Sequence, residues 1–408
     1  MKLRRLGWAT VILAFVSLTS QAKDENWIAS WASSPLGGKI VIPGVPADKI
    51  PPSPLVRGTV RFRLPLSAGG SRLELRLSNE ANNEPMGIGA VTVGIAESGL
   101  TVRAGSMRSV QFNGRSSFTI PVGAPALSDP VDLPTGPADA LIVSLYLTKE
   151  IQLPLGQRGI MAAVLETADA TSQLSVDGAH PIPARTPISA VLVASSSRAE
   201  TIVTLGDSIT DGGITDTQDV RGWPGHLAKR LQSGHQVYAV ANEGIGGNGI
   251  ISDIIGLNAL ARFDRDVLSL PNVSYLVLLE GINDIGFSNS PDNHGPSVPV
   301  DAERLISAYQ QLIARAHQHG IRVVGCTLPP FQGAMYYSDN GDKTRHQVND
   351  WIRSGHGFDA FVDFDRALAD PADSNKLAAA FDSGDHLHPS DAGYKKMAEA
   401  FDLKQFSN

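Results

Sequence analysis

Apolar and polar residues alternate along the first half of the chain. Between Val60 and Leu64 apolar residues occupy every second position, with arginines between them, and leucines repeat this pattern over residues 73–77. A two-residue period is typical of half-buried β-strands. Further short strand-like runs at residues 88–95, 117–122 and 141–147 are separated by Gly, Pro and Asn. The pattern therefore predicts a mostly antiparallel, β-sandwich-like region.

The second half alternates apolar runs with amphipathic segments. Strands are predicted at residues 201–205, 237–241, 274–279, 321–326 and 360–364, and a helix at about 223–231. Residues 302–317 carry apolar side chains at steps of three and four, which is typical of a helix that packs one stripe against a sheet. This order predicts a doubly wound α/β/α fold with a five-stranded parallel sheet, in which ligands bind beyond the carboxyl ends of the strands.

The change of pattern near residue 197 predicts a domain boundary. Three prolines within residues 181–187 and the serines at 195–197 are typical of a connecting segment. We therefore expect a β-rich domain over residues 23–196 and an α/β domain over residues 197–408.

The first residues have the pattern of a signal peptide. Basic residues at positions 2, 4 and 5 precede an apolar stretch from Leu6 to about Leu18, and the small residues Ser20 and Ala22 suit cleavage after Ala22. Because a spanning helix needs about 20 apolar residues, a membrane anchor is the less favoured alternative. Residues 1–22 are therefore predicted to be removed on export, leaving a secreted or periplasmic protein with no stable membrane insertion.

Composition argues against some partners. The chain has 34 Lys and Arg residues against 41 Asp and Glu residues, and its net charge of -7 has the wrong sign for a protein that binds the phosphate backbone of nucleic acid. Cys326 is the only cysteine, so no internal disulfide can form, and its place at the end of an apolar run favours a packing role. The sequence does not indicate an oligomeric state.

A serine follows the first predicted strand of the α/β domain, in the loop that begins Gly206-Asp207-Ser208. A serine in this place can be exposed and rigid. Its hydroxyl is a poor nucleophile unless a histidine takes its proton and a further group orients that histidine. By itself the tripeptide also suits an ordinary turn.

Near the C-terminus, Asp385 and His388 lie three residues apart in a short loop before a predicted helix. An Asp three positions before a His can reach its ring nitrogen, fix its tautomer and stabilise the imidazolium. The loop could therefore supply both partners of the serine. His386 is an alternative base, and Asp382 and Asp391 are alternative carboxylates. A polar loop that only caps the last helix is the non-catalytic alternative.

Two further loops could stabilise the negative charge that acyl transfer places on a carbonyl oxygen. The loop after the second predicted strand reads Asn242-Glu243-Gly244-Ile245-Gly246-Gly247-Asn248, and its glycines allow backbone N–H groups to approach a ligand closely. The loop after the third predicted strand contains Asn283, whose amide is a further donor. A flexible turn and an Asx turn are the respective structural alternatives.

Four sequence blocks, in this order, resemble the GDSL hydrolases, also called the SGNH family, over about residues 201–401. The blocks are Gly206-Asp207-Ser208, the Asn-x-Gly-x-x-Gly run that ends at Gly247, Gly281-x-Asn283-Asp284 and Asp385-x-x-His388-Pro389. Ser208 does not lie in a Gly-x-Ser-x-Gly elbow, which argues against an ordinary α/β-hydrolase. Position 209 holds Ile where the family name has Leu, an exchange of one apolar residue for another.

The resemblance implies an SGNH-type hydrolase domain over residues 197–408 and a serine esterase that uses no cofactor and no metal. Ser208 would attack the ester carbonyl, His388 would act first as base and then as acid, and Asp385 would orient His388. Three aspartates near these groups are expected to brace loops by hydrogen bonds rather than to react. They are Asp207, Asp211 and Asp284.

The resemblance also implies an oxyanion hole. Its donors would be the backbone N–H of Ser208, the N–H of Gly247 and the side-chain amide of Asn283. Gly246 is the alternative to Gly247, since the two glycines are adjacent.

Two other functions fit parts of the pattern. A metal-dependent hydrolase could use Asp207, Asp385, His386 and His388 as ligands, although the two-residue step between the histidines is not a structural zinc signature. The second alternative is a catalytically inactive protein that binds a polysaccharide through its β-rich region.

The substrate expected from the resemblance is a short acyl ester of a saccharide or of a similar small alcohol. The N-terminal region is similar to the extensions of secreted GDSL-type esterases that act on carbohydrate or other small acyl esters. Trp27 and Trp31 suit stacking on a sugar ring, and anchoring of the chain start against a core is the other interpretation. A lipid or aryl ester is the alternative substrate.

Overall fold

The structure, a computed structural model, describes residues 25–36, 47–50, 52–80, 82–154, 161–166, 168–196, 198–212, 219–232, 234, 236–289 and 300–406. The predicted signal peptide lies outside the described residues. Within these ranges no helix combines the length and the apolar character that crossing a bilayer requires.

The first part of the chain forms two antiparallel sheets. Their strands are β1 (Asn26–Ala32), β2 (Leu55–Pro65), β3 (Leu73–Ser78), β4 (Met86–Ser98), β5 (Thr101–Val102), β6 (Arg108–Ser109), β7 (Phe118–Ile120), β8 (Pro125–Leu127), β9 (Ala140–Gln152), β10 (Ala162–Leu165), β11 (His180–Pro181) and β12 (Ile188–Ser195). One sheet has the order β1-β12-β3-β8, and the other follows β11-β10-β2-β9-β4-β5 with β6 and β7 paired to β4.

The inward faces of the two sheets form one hydrophobic core. Val60 and Phe62 of β2 are buried in the same cluster as Leu75 of β3 and Val191 of β12. The two-residue period seen in the sequence therefore places alternate side chains between the sheets, as in a β-sandwich. The predicted antiparallel, sandwich-like fold is confirmed.

Strand β12 was not predicted from the sequence, because it follows directly on the proline-rich stretch and ends in the serines that were both interpreted as connecting segments. Residues Ile188–Ser195 pair with both β1 and β3 in the four-stranded sheet. Every residue of this strand except the last is buried, so it shows no alternation of apolar and polar positions. The prolines just before it made the whole segment resemble a linker.

The second part of the chain forms the parallel sheet. Its strands are β13 (Glu200–Gly206), β14 (Tyr238–Gly244), β15 (Val273–Leu279), β16 (Arg322–Cys326) and β17 (Ala360–Val362). They are arranged in the order β14-β13-β15-β16-β17, and every neighbouring pair is parallel. The predicted five-stranded parallel sheet is confirmed. Cys326, at the end of β16, is buried and free, in agreement with a packing role.

Helices cover the parallel sheet in two groups. They are α1 (Ser208–Asp211), α2 (Gly222–Leu231), α3 (Ala259–Phe263), α4 (Ile282–Asn289), α5 (Ala302–Gln318), α6 (Asp339–Arg353), α7 (Phe364–Leu368) and α8 (Asp391–Glu399), with a π-helical turn at Asp264–Leu268 and 3-10 turns at Ala47–Lys49 and Leu403–Phe406. Helices α2, α7 and α8 contact one another, and in the other group α5 contacts α3 and α6 while α6 also contacts α4, as expected for a doubly wound α/β/α layer.

The amphipathic helix predicted at residues 302–317 is α5. The Asp301 side chain caps its N-terminus by accepting a hydrogen bond from the N–H of Arg304. Leu305, Tyr309 and Leu312 are buried on the predicted stripe. One face of the helix therefore packs into the core, as the three- and four-residue spacing predicts.

The β-rich part and the parallel sheet share a core. Strand β1 contacts β14, the edge strand of the parallel sheet, and its Ala29 donates a backbone hydrogen bond to the Thr201 hydroxyl at 3.0 Å. Ala29 and Leu192 are buried in the same cluster as Val203 and Val240 of the parallel sheet. The β-rich part therefore covers an edge of the parallel sheet that would otherwise be exposed.

The two N-terminal tryptophans, both on β1, pack against these cores. Trp31 is 8 % exposed within the sandwich core, and Trp27 is partly buried against the shared core. These contacts favour anchoring of the chain start over stacking on a sugar ring.

Candidate active site

Ser208 lies at the carboxyl end of β13, as the first residue of α1. The Asp207 side chain caps this short helix by accepting a hydrogen bond from the Ile209 N–H at 2.8 Å. Gly206 lies so close to β15 that an added Cβ would come within 2.2 Å of the Leu279 carbonyl oxygen. The glycine therefore allows the tight turn that presents the serine at the edge of the sheet.

His388 connects Ser208 to Asp385. Its Nε2 lies 2.7 Å from Ser208 Oγ, and its Nδ1 lies 2.6 Å from Asp385 Oδ2. Because an ionised carboxylate only accepts hydrogen bonds, this contact puts the ring proton on Nδ1 and leaves Nε2 free to accept the serine proton. The structure thus brings the predicted nucleophile, base and orienting carboxylate together.

The carboxylate of Asp385 is held in its ionised form. Partial burial would raise its pKa, but hydrogen bonds from the His388 ring and from the N–H groups of His388 and Leu387 outweigh burial and hold the pKa well below its usual range. The backbone contacts are 2.8 Å and 3.0 Å long. An ionised carboxylate in this place stabilises an imidazolium on His388.

The alternative base, His386, is bound elsewhere. Its Nδ1 lies 2.6 Å from Asp382 Oδ2, and its backbone N–H donates to Asp382 Oδ1 at 3.0 Å. The two histidines of the loop therefore use different carboxylates, and it is His388 that contacts Ser208. Asp391, the other alternative carboxylate, lies in the first turn of α8.

The glycine loop follows β14 and passes beside Ser208. Gly247 has a φ of +75°, and an added Cβ would come within 2.4 Å of Ile255 Cδ1, whereas a Cβ added to Gly246 would lie 3.9 Å from Ser208 Cβ. Neither glycine N–H has an acceptor among the residues that the structure describes. Both N–H groups are therefore available to a ligand.

Asn283 lies in the first turn of α4, after β15. Its Nδ2 donates to the Asn248 carbonyl oxygen at 2.9 Å, and its Oδ1 accepts from the Tyr336 hydroxyl at 3.1 Å. An amide has two N–H groups, so one remains for a ligand. The serine, the glycine loop and Asn283 thus lie beyond the carboxyl ends of three neighbouring strands.

The three aspartates predicted to brace loops do so. Asp284 accepts hydrogen bonds from three successive N–H groups, those of residues 250 to 252, at 2.6 to 3.2 Å. Asp211 accepts from Arg221 at 2.5 Å, and Asp207 caps α1. Burial raises the pKa of Asp207 to about 7 and that of Asp284 to about 6, with the hydrogen bonds opposing the rise.

A buried arginine beneath the site was not predicted from the sequence. Arg262 donates to the carbonyl oxygens of Gly206 at 3.0 Å and Glu243 at 2.6 Å, and to Asn248 Oδ1 at 3.0 Å. It therefore ties the serine loop to the glycine loop. The sequence feature that could have indicated this arginine is a charged residue on the apolar face of a short helix, between Ala259 and Phe263, which are both buried.

A serine, an imidazole and a carboxylate connected in this order form the arrangement that serine hydrolases use, and it recurs on unrelated folds. Residues 204–396 match the model of the GDSL-like lipase/acylhydrolase family. The chain thus carries a domain of this family, and the resemblance based on the four sequence blocks is confirmed.

Solved structures are similar to about half of the chain. An acetylxylan esterase from Geobacillus stearothermophilus is 22% identical over 51% of this chain and 94% of its own, with a TM-score of 0.40. A GDSL-like lipase from Bacteroides thetaiotaomicron VPI-5482 is 18% identical over 51% of this chain and 88% of its own, with a TM-score of 0.38. Among curated proteins, none matches the chain.

Proposed function

We propose that the protein is an exported serine esterase that hydrolyses acyl esters through an acyl-enzyme on Ser208. The observation that carries this proposal is the continuous contact from Ser208 Oγ through His388 to Asp385, at 2.7 Å and 2.6 Å. The GDSL-like lipase/acylhydrolase domain supports the same chemistry.

Acylation begins with attack of Ser208 Oγ on the ester carbonyl while His388 Nε2 takes the hydroxyl proton. Asp385 stabilises the imidazolium that forms. The tetrahedral intermediate then collapses, the bond to the alcohol breaks, and His388 returns the proton to the leaving alcohol. A water molecule then attacks the acyl carbon of the acyl-enzyme while His388 Nε2 takes its proton. The second tetrahedral intermediate collapses, the bond from Ser208 Oγ to the acyl carbon breaks, His388 returns the proton to Oγ, and the carboxylic acid is released.

The oxyanion is stabilised by donors from the three loops. The backbone N–H of Ser208, the N–H of Gly247 and the free N–H of the Asn283 amide are assigned this role, with Gly246 as the alternative glycine. Preorganised donors of this kind are each worth about 10²–10³ in kcat.

The proposed substrate is a short acyl group on a carbohydrate or a similar small alcohol. The reacting groups are partly open to solvent, since the Asp385 side chain is 47% exposed and that of His388 is 20% exposed. An open site admits a large polar alcohol more readily than it encloses a long acyl chain. Lipase-type or arylesterase-type activity is the alternative.

Export is proposed from the N-terminal sequence alone. The basic residues at positions 2, 4 and 5, the apolar stretch that follows and the small residues before position 23 support cleavage of a signal peptide. N-terminal sequencing of the protein recovered from the medium or the periplasm tests this, and an intact N-terminus would contradict it.

The reaction is tested by hydrolysis of p-nitrophenyl acetate with the wild-type protein and with Ser208→Ala. We expect turnover by the wild type, turnover at the uncatalysed background with the variant, and full wild-type activity after treatment with a chelator. Equal turnover by both proteins would contradict the serine mechanism, and loss on chelation would favour a metal-dependent hydrolase. A folded wild type with no turnover would favour the polysaccharide-binding alternative.

A further inference from the structure

The side-chain amide of Asn283 is hydrogen-bonded at both ends. Nδ2 faces the Asn248 carbonyl oxygen, and Oδ1 faces the Tyr336 hydroxyl. Exchanging the nitrogen and the oxygen would place two acceptor oxygens against each other at Asn248, so the Asn248 carbonyl sets the orientation and the Tyr336 hydroxyl donates to Oδ1. The observed orientation is the one that leaves an N–H free for a ligand.

Tyr336 is held rigidly in the loop after β16. It is 3% exposed, and its ring packs edge-on against Phe287 with the ring centroids 5.1 Å apart. At Gly286 an added Cβ would come within 2.3 Å of the tyrosine ring. Asn283 and Gly286 are three residues apart on α4 and share a helix face. The ring therefore lies against the helix at the glycine while the hydroxyl reaches the asparagine.

The Tyr336 hydroxyl stays protonated and therefore remains a hydrogen-bond donor. Burial raises its pKa well above the usual value, and the nearby carboxylates Asp207 and Asp385 raise it further. The hydroxyl therefore keeps its proton at any working pH and donates to the Asn283 oxygen.

We propose that Tyr336 is a positioning residue for the oxyanion hole, because its hydroxyl holds the Asn283 amide with its free N–H turned to the oxyanion. This inference rests on the proposed esterase function. Tyr336 acts through Asn283 and touches no reacting atom. Tyr336 should therefore help to stabilise the tetrahedral intermediate and leave the binding of the substrate unchanged.

The first test is Tyr336→Phe, which removes the hydroxyl and keeps the ring contacts. With p-nitrophenyl acetate we expect kcat to fall about tenfold or more while KM stays within about twofold, since loss of a whole oxyanion donor costs about 10²–10³ in kcat. Tyr337→Phe is the matched control, because that hydroxyl bonds Asp339 at 3.3 Å on the surface, and it should keep wild-type kinetics. Thermal unfolding monitors the fold of each variant.

The second test asks whether Tyr336 acts through Asn283. In an Asn283→Ala background, Tyr336→Phe should cause no further fall in kcat, so the two substitutions should be strongly non-additive. An equal fall in both backgrounds, or wild-type kcat in Tyr336→Phe, would overturn the inference. Absence of wild-type turnover, or turnover that survives in Ser208→Ala, would instead overturn the esterase function.

Discussion

At the scale of single residues, the two histidines of the C-terminal loop show how position decides function. Each binds a carboxylate through Nδ1, His386 that of Asp382 and His388 that of Asp385. Of these two rings, it is that of His388 that contacts the Ser208 hydroxyl. The sequence offers both pairs at similar spacing, so side-chain geometry was needed to separate them.

Substituting each histidine separately tests this difference. His388→Ala should lower kcat by about a thousandfold or more, because it removes the base that takes the serine proton. His386→Ala should keep kcat within about fivefold of the wild type, as expected away from the reacting groups. Steady-state hydrolysis of a p-nitrophenyl ester measures both, and comparable losses in the two variants would contradict the assignment.

The raised pKa of Asp207 makes the stability of the folded protein depend on pH. Burial raises its pKa to about 7, from an ordinary value of 3.8. Between these values the folded chain keeps a proton that the unfolded chain has released, so this group lowers stability as pH rises from about 4 to about 7. Above pH 7 the destabilisation is fully present.

Asp207→Asn should therefore stabilise the protein at high pH. Asn is always neutral and keeps the oxygen that accepts from Ile209, so it mimics the protonated carboxyl. At pH 8 we expect its Tm to exceed that of the wild type by roughly 5 °C, and at pH 4.5 by no more than about 2 °C. Thermal unfolding at several pH values measures this, and a difference independent of pH would contradict it.

At the scale of elements, the two adjacent glycines of the loop after β14 have different surroundings. The Gly247 backbone has φ at +75° and no room for a Cβ beside Ile255, whereas the nearest atom to a Cβ on Gly246 is Ser208 Cβ, at an ordinary contact distance of 3.9 Å. The loop therefore needs glycine at 247 for its conformation.

Alanine at each position tests this requirement. Gly247→Ala should lower the free energy of unfolding by about 1–3 kcal/mol, because it combines a strained φ with a clash. Gly246→Ala should change it by less than about 1 kcal/mol. Urea unfolding of both variants measures the difference, and equal destabilisation would contradict the account of the loop.

Most helices and strands were predictable from the period or the continuous run of their apolar residues, including the buried strands of the parallel sheet. Apolar residues recur every three or four positions in α5 and every second position in β2, so their periods are visible even though Arg61 of β2 is itself buried. Strand β12 is buried on both faces and was missed. Arg262 was missed because its three partners near the site, two carbonyls and one side-chain amide, belong to the ends of β13 and β14 and the glycine loop, and no sequence pattern connects these to α3.

At the scale of the whole molecule, the β-rich part reaches the underside of the candidate site. Arg185, just before β12, is fully buried and donates to the Ser34 carbonyl oxygen at 2.9 Å and to the Gly244 carbonyl oxygen at 3.1 Å. The Ser34 hydroxyl donates to Asp266 at 2.6 Å, and Asp266 pairs with Arg262 at 3.0 Å. These contacts join the β-rich part to the loops that carry the reacting groups.

Removal of the β-rich part should therefore damage the fold. A protein beginning at residue 198 would expose the core that β1 and β12 share with the parallel sheet and would leave the Gly244 carbonyl without its arginine. We expect this protein to aggregate or to lack a cooperative thermal transition. A soluble fragment with a cooperative transition and wild-type turnover would contradict a shared core.

Chemical trapping of the nucleophile shows whether Ser208 is the residue that becomes covalently acylated. The mature protein is treated with diethyl p-nitrophenyl phosphate and then digested for peptide mass spectrometry. We expect loss of esterase activity with one diethylphosphoryl group on Ser208, and no such adduct in Ser208→Ala. An adduct on another residue accompanying the loss of activity, or full inactivation of the wild type without an adduct on Ser208, would contradict it.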